Sequence, residues 1–199
     1  LDCAPEDRLR LLLMAERKGI AAVLDVSRVA GADSDADTQE GFAILFGRRT
    51  LRLVGPDSAG LADISLGNPF ALSTRFEMPP GGSVALIGQD AFSARLVASH
   101  GAAGLNLGTI LDLGEAQDIG PDEALADLAR HGEVSVVLLA LSKLARPEAF
   151  RQVARNIAPM LPLAAHFPAP DNAPERDGAI AAFLADCGVL RVGDAGALA

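Results

Sequence analysis

Cysteine is scarce in this 199-residue chain: Cys3 and Cys187 stand at opposite ends, and no CxxC pair occurs. Neither a disulfide framework nor a zinc site is expected from two such distant residues, and a reducing, cytoplasmic setting is the simplest one. Positive charge is also in short supply. Seventeen Lys and Arg face 26 Asp and Glu, for a net charge of −9. A field of that sign repels nucleic acid and anionic lipid, so neither nucleic acid nor membrane is an expected partner. No apolar run reaches the roughly 18 residues of a membrane span, and no signal peptide is visible. Also missing are the GxGxxG and GxxxxGKS patterns, so the chain has no nucleotide fingerprint. No metal site is expected.

What is present is ordinary globular material, half hydrophobic and 22% charged. Short β-branched runs alternate with amphipathic stretches, the pattern of parallel βαβ units. Residues 6–18 (EDRLRLLLMAERK) predict a helix and 20–26 (IAAVLDV) a strand, followed by a shorter helix over DADTQEGFAILFGR and a strand over 50–55 (TLRLVG). The Pro-, Gly-, Asn- and Ser-rich stretch from 56 to 82 lacks periodicity and marks the expected domain boundary, dividing the chain into 1–76 and 77–199. Beyond it, SVALIG, LGTILDL, VSVVLLAL, MLPLAAHF and VLRV predict five strands. Helices over AFSARLVASH, PDEALADLARH, PEAFRQVARNI and RDGAIAAFLADC separate them. That makes a five-stranded parallel, flavodoxin-like domain. The first 55 residues carry only two strands, too few for a Rossmann half. The chain opens on Leu1 rather than Met, and it is expected to be a piece of something longer.

In a doubly wound sheet, ligands sit outside the carboxyl ends of the strands. His100 and His131 each close a helix just before a glycine, where a cation suits the helix dipole. His166 ends a strand on the ligand-facing edge and is the one histidine considered for catalysis; without a Cys, Asp or Glu at ligand spacing, a structural role stands beside that reading. The GGSVALIGQDAF turn reaches the same edge. A helix start there suits phosphate, but Asp90 is a favoured N-cap that would satisfy the free amides itself and repel an anion. The PDSAG turn (56–60) reads equally well as a ligand loop or a plain turn. PAPDNAPE (168–175) is a Pro-restricted linker without a nucleophile, and the acids of 112–127 read as a mostly solvated helix face.

The order of these pieces resembles the NDP-forming acyl-CoA synthetases, including the succinyl-CoA ligase α subunit. The segments that carry it are TLRLVGPDSAG, PPGGSVALIGQDAFSARLVA, ILDLGEAQDIGPDEALADLARHGEVSVVLLAL and DGAIAAFLADCGVLRVGDAGAL. The resemblance implies the later part of a Rossmann-like CoA-binding domain followed by a succinyl-CoA ligase-like flavodoxin domain. In that family a histidine, in a small-residue loop after the fourth strand, carries phosphate between a nucleotide and an acyl group. The matching segment here is PAPDNAPE, without histidine, and the phosphohistidine role does not transfer to His166. The family's S-Q-S phosphate turn reads Gly88, Gln89, Asp90, and the glutamate that ends the third strand falls at Ser142. The counterparts of the CoA loops are Ala4-Pro5, Ser27-Arg28 and Pro56-Asp57-Ser58, with Asp57 in place of the usual asparagine.

Losing the nucleophile removes the covalent route, and phosphoryl transfer needs an electrostatic cradle that Asp90 opposes. The sequence therefore leaves enzyme status open. It favours a catalytically degenerate acyl-CoA-synthetase-like module that senses coenzyme A or acyl-CoA, or scaffolds a larger protein. One alternative is the α portion of an active enzyme completed by an ATP-grasp subunit, with His166 as nucleophile; another is a pure interaction module. The expected partners are an ATP-grasp-like subunit or another domain of the parent chain, with a homo-oligomer allowed.

Overall fold

The computed structural model describes residues 1–28, 36–63, 70–73, 81–89, 105–130, 133–170, 172–193 and 198. Two sheets divide the strands. The smaller pairs β1 (Ala22–Leu24) with β2 (Arg52–Val54) in parallel, in register Ala22 with Arg52. Helices α1 (Arg8–Arg17) and α2 (Ala36–Gly47) accompany it. Leu12, Phe42, Leu45, Leu51 and Leu53 form its core, each 2% exposed or less.

Among the described residues the larger sheet has seven strands. Five are parallel: β5 (Val84–Gly88), β6 (Leu107–Asp112), β7 (Val136–Ala140), β8 (Leu163–His166) and β9 (Leu190–Arg191). Their spatial order, β6-β5-β7-β8-β9, is the flavodoxin order, with its switch point beside β5. The other two are β3 (Gly60–Asp63) and β4 (Phe70–Ser73), an antiparallel hairpin laid against β6. The stretch read as aperiodic thus contributes two strands. Four residues each, with Gly and Ala in β3, they are too short to alternate visibly in sequence. The expected division after residue 76 falls outside the described residues, and strands that precede it join the later sheet.

Alternation along the central strands explains why both faces are covered. Ala85 and Ile87, with Val137 and Leu139, enter the core beneath α3 (Pro121–Leu128), α4 (Pro147–Ile157) and α5 (Asp177–Asp186). Leu86, Leu138 and Ala140 point to the opposite cluster, with Leu107 and Ile110. Such near-continuous apolar strands mark a parallel sheet buried on both sides. Helix α4 shows why its segment is helical: Pro147 opens it, Phe150, Ala154 and Ile157 recur on the buried face, and Gln152, Arg155 and Asn156 lie exposed on the other.

The two sheets meet through backbone contacts that allow no side chain. Gly114, at φ 54°, would place a Cβ 2.0 Å from the Pro56 carbonyl oxygen and 2.7 Å from the Ser58 nitrogen. Within the smaller sheet, Gly55, at φ 111°, would place one 2.2 Å from the Asp25 carbonyl oxygen. Both positions need glycine for conformation and for space. Gly114→Ala is expected to lower folding stability by about 3 kcal/mol in urea titration, against near-neutral effects for Gly178→Ala, where nothing lies within 4 Å. Equal midpoints for the two variants would refute this account of the joint.

Candidate functional site at the carboxyl edge

The carboxyl ends of the parallel strands form one row. Asp112, Gly88, Ala140 and His166 pair in register across β6, β5, β7 and β8. His166 is half-buried at the end of this row, two strands from Gly88. His100, His131 and Asp90, with the helix that Asp90 is expected to cap, lie outside the described residues.

Gln89 follows β5 and is 1% exposed. Its amide nitrogen on the backbone donates to the Ala140 carbonyl oxygen at 3.0 Å. Its side-chain Oε1 accepts from the backbone N–H of Ser142 at 3.0 Å and of Lys143 at 3.2 Å. The structure thus brings Gln89 and Ser142 together, with the Ser142 side chain exposed. Two adjacent backbone amides converging on one oxygen are the donor geometry an oxyanion uses. Here a neutral side-chain oxygen of the chain itself takes both.

Beside Gln89 lies a cavity of about 150 Å³, walled by the β6–α3 and β7–α4 loops and including Gln117, Asp118, Asp122, Lys143 and Arg146. Its charges answer one another. Arg146 reaches Asp122 at 3.0 Å and Glu123 at 2.8 Å. Arg52, from β2, reaches Asp118 at 2.9 Å and Glu123 at 2.7 Å, and Arg49 lies 3.7 Å from Glu123. Lys143 pairs with Glu115. Four cations (Arg49, Arg52, Lys143, Arg146) therefore meet four carboxylates (Glu115, Asp118, Asp122, Glu123). Burial pushes the Glu123 carboxyl up, but the hydrogen bonds from Arg52 and Arg146 outweigh it and hold the group below the usual carboxylate range. The hydrogen bond to Asp118 leads in raising Arg52 further above its ordinary value.

The acids of 112–127, read from sequence as mostly solvated, are largely structural. Asp112 is fully buried and Asp122 is 7% exposed, while Asp118 and Glu123 sit in the arginine network. Gln117, Lys143 and Arg146 carried no signal in sequence. Pro121 with Asp122 and Glu123 in the first turn of α3 was the available clue, because that pattern anchors acids at a helix start.

Of the residues aligned with CoA loops, Ser27, Pro56, Asp57 and Ser58 meet at the joint between the sheets. Ser27 accepts the Asp57 N–H on its carbonyl oxygen at 2.9 Å, and its Oγ accepts the Cys3 N–H at 3.0 Å. Ser58 is buried, donating its hydroxyl to the Asp112 carbonyl oxygen at 2.5 Å and accepting the Gly60 N–H at 3.0 Å. Pro56 is buried, Asp57 and Pro5 are half-buried and Arg28 is exposed. An open depression of about 520 Å³ runs from Pro56 and Gln39 to Glu115, Gln117 and Lys143, linking this joint with the carboxyl edge.

Comparison with known proteins places the fold. Residues 81–199 match the family model of the succinyl-CoA ligase like flavodoxin domain. The structure resembles the PH0766 protein of Pyrococcus horikoshii OT3, with a TM-score of 0.82, 17% identity, and coverage of 98% of this chain and 43% of the other. It also resembles the dinucleotide forming acetyl-coenzyme A synthetase 1 of Ca. Korarchaeum cryptofilum in its apo form, with a TM-score of 0.81, 14% identity and coverage of 97% and 45%. The same synthetase in complex with phosphate and ADP superposes with a TM-score of 0.80 at 14% identity, covering 95% and 44%. The chain spans less than half the length of these structures. No curated protein matches it.

Two expectations follow. Gln89→Ala leaves two part-buried amides without their acceptor and is expected to cost about 2 kcal/mol in denaturant titration, with Gln89→Glu milder because an acceptor remains. The depressed Glu123 contributes stability that is complete above its unfolded pKa of about 4.3 and is lost as pH falls through its lower folded value. Glu123→Gln is therefore expected to flatten the fall of the unfolding midpoint as pH drops below the ordinary glutamate value of about 4.3. An unchanged slope would remove Glu123 from the account.

Proposed function

The chain belongs to the succinyl-CoA ligase-like flavodoxin domain family through residues 81–199, and on that premise we propose that it is an acyl-CoA-synthetase-like module with no phosphoryl transfer of its own. It acts as a CoA- or acyl-CoA-sensing regulatory part, or a scaffold, of a larger protein. The observation that carries this reading is Gln89 Oε1 on the Ser142 and Lys143 amides. A site built to hold a transferring phosphoryl group keeps such donors free and keeps cations unneutralised around them. Here the donors are occupied and the neighbouring cations are matched by carboxylates. The loop after β8 supports the same reading, since residues 167–175 contain no histidine.

Coenzyme A, or its acyl thioester, is the proposed ligand, with Pro5, Ser27, Arg28, Pro56, Asp57 and Ser58 as the loops that meet it. The half-buried Pro5 and Asp57 and the exposed Arg28 offer contact, whereas the Ser27 and Ser58 hydroxyls hold the loops in place. Gly88, Gln89, Asp90 and Ser142 form the degenerate phosphate site. The proposed partner is an ATP-grasp-like subunit or another domain of the parent protein.

The position of His166 favours a second reading. It closes β8 on the carboxyl edge, in line with Gly88 and Ala140. On that reading the chain is the α portion of an active NDP-forming acyl-CoA synthetase, interconverting acyl-CoA, NDP and phosphate with acid, CoA and NTP.

Labelled nucleotide separates the two. The parent protein incubated with γ-labelled ATP and its ATP-grasp partner is expected to yield no acid-labile phosphoprotein on this chain; label that disappears in His166→Ala would establish the enzyme reading instead. Calorimetric titration of the parent protein with CoA and acetyl-CoA is expected to give saturable heat. No heat at millimolar ligand would leave an interaction module.

A further inference from the structure

Arg8 opens α1 in the first half of the chain, and its side chain is fully buried. Its Nε donates to Asp25 Oδ2 at 2.9 Å, and that carboxylate is also fully buried. Its Nη2 donates to Gln117 Oε1 at 2.9 Å, in the β6–α3 loop of the second half. The guanidinium lies 5.1 Å from the centroid of the Phe42 ring, which fixes its plane. One planar group therefore joins the end of β1, helix α2 and a loop 109 residues away.

The partners of Asp25 lead to the turn where coenzyme A is proposed to bind. Asp25 Oδ1 accepts the Ser27 N–H at 3.0 Å, and its carbonyl oxygen accepts the Ser58 N–H at 3.3 Å. The Asp57 N–H closes the circuit on the Ser27 carbonyl oxygen. At the other end, Gln117 walls both the 150 Å³ cavity and the open depression. A buried guanidinium cannot drop one partner cheaply, because an orphaned charge or carboxylate in the interior costs more than the contact contributes. Displacement of the Ser27–Ser58 turn therefore has to be met by movement of Arg8, and movement of Arg8 by movement of Gln117.

We infer that Arg8 is a positioning residue that couples occupancy of the Ser27–Ser58 turn to the conformation of the β6–α3 loop, through Asp25 on one side and Gln117 on the other. The inference rests on the reading that coenzyme A binds at that turn, and it specifies how such a sensor reports binding. The two ends are coupled reciprocally: a change in the loop alters affinity at the turn by the same factor. The direct backbone bond from Gln117 N–H to the Gly55 carbonyl oxygen, 3.1 Å long, keeps the loop attached when the side-chain link is cut, so the two contributions separate experimentally.

Hydrogen exchange of the parent protein, read by mass spectrometry with and without saturating CoA, tests the coupling. In the unmodified protein CoA is expected to slow exchange in residues 117–128 by at least about fivefold, the lower end of ordinary site-to-site coupling. Arg8→Lys keeps a cation for Asp25 but gives up the fork that reaches Gln117, and Gln117→Met removes the acceptor. Both are expected to lose the protection in 117–128 at saturating CoA while retaining it at 25–28 and 55–58. Gln117→Glu keeps an acceptor for Arg8 and is expected to retain the protection. Should Arg8→Lys not fold, the Gln117→Met and Gln117→Glu pair decides the matter alone. Saturable CoA heat without protection of 117–128, or protection that survives Gln117→Met, overturns the coupling and leaves CoA binding standing. Absence of CoA heat in the unmodified protein removes the binding reading and the coupling with it.

Discussion

Asp112 ends the second parallel strand with every oxygen in use. Its Oδ2 accepts the Ala59 N–H at 2.8 Å, its Oδ1 accepts the Gly114 N–H at 3.1 Å, and its carbonyl oxygen takes the Ser58 hydroxyl at 2.5 Å. One fully buried carboxylate thereby fixes where β6 stops, how the following loop turns, and where the loop from the smaller sheet comes to rest. The remaining geometry follows from this closure. With Gly114 held against Pro56, the loop carrying Gln117 and Asp118 has to cross toward β2, and Arg52 on that strand has to meet Asp118. A buried carboxylate is tolerable only when its hydrogen bonds are complete, which is why the joint admits so little variation.

Charge neutrality is the second constraint. A phosphate-handling edge concentrates unmatched donors, but here every cation named around the cavity is already in an ion pair, and the adjoining amides meet a side-chain oxygen. On the proposed reading the arrangement serves stability rather than phosphoryl transfer. It also ties three elements, β2, α3 and the β7–α4 loop, into one body, so the carboxyl edge and the joint between the sheets are mechanically continuous. Such continuity is what the proposed sensing role calls for.

The sequence carried the regular parts of this design well. PEAFRQVARNI reads as a helix because proline opens it and Phe150, Ala154 and Ile157 recur at helical spacing, and the helix runs over those same eleven residues. The five parallel strands are legible as short apolar runs between amphipathic helices. What escaped was everything that depends on distant pairing. The hairpin of β3 and β4 is too short to show a period, and it gains its order only from lying against β6. Glu123 and Asp118 look like solvated acids until a strand 65 residues or more away brings Arg52 to them. Arg8 sits one turn from Leu12 on the same buried face, a spacing that hints at burial but not at Asp25 or Gln117. Resemblance to the acyl-CoA synthetases aligned Gln89 and Ser142 with a phosphate site, yet only the geometry reveals that the one side chain occupies the amide of the other.

The central claim is that, among the described residues, the Ser142 and Lys143 amides are taken by Gln89 Oε1 and closed to an oxyanion. Thermal unfolding of the parent protein in rising inorganic phosphate, with chloride adjusted to constant ionic strength, examines it most directly, because any ligand that binds the folded state raises the midpoint by mass action. The account predicts the same midpoint in phosphate as in chloride. A saturable, phosphate-specific rise that Gln89→Glu abolishes would contradict it.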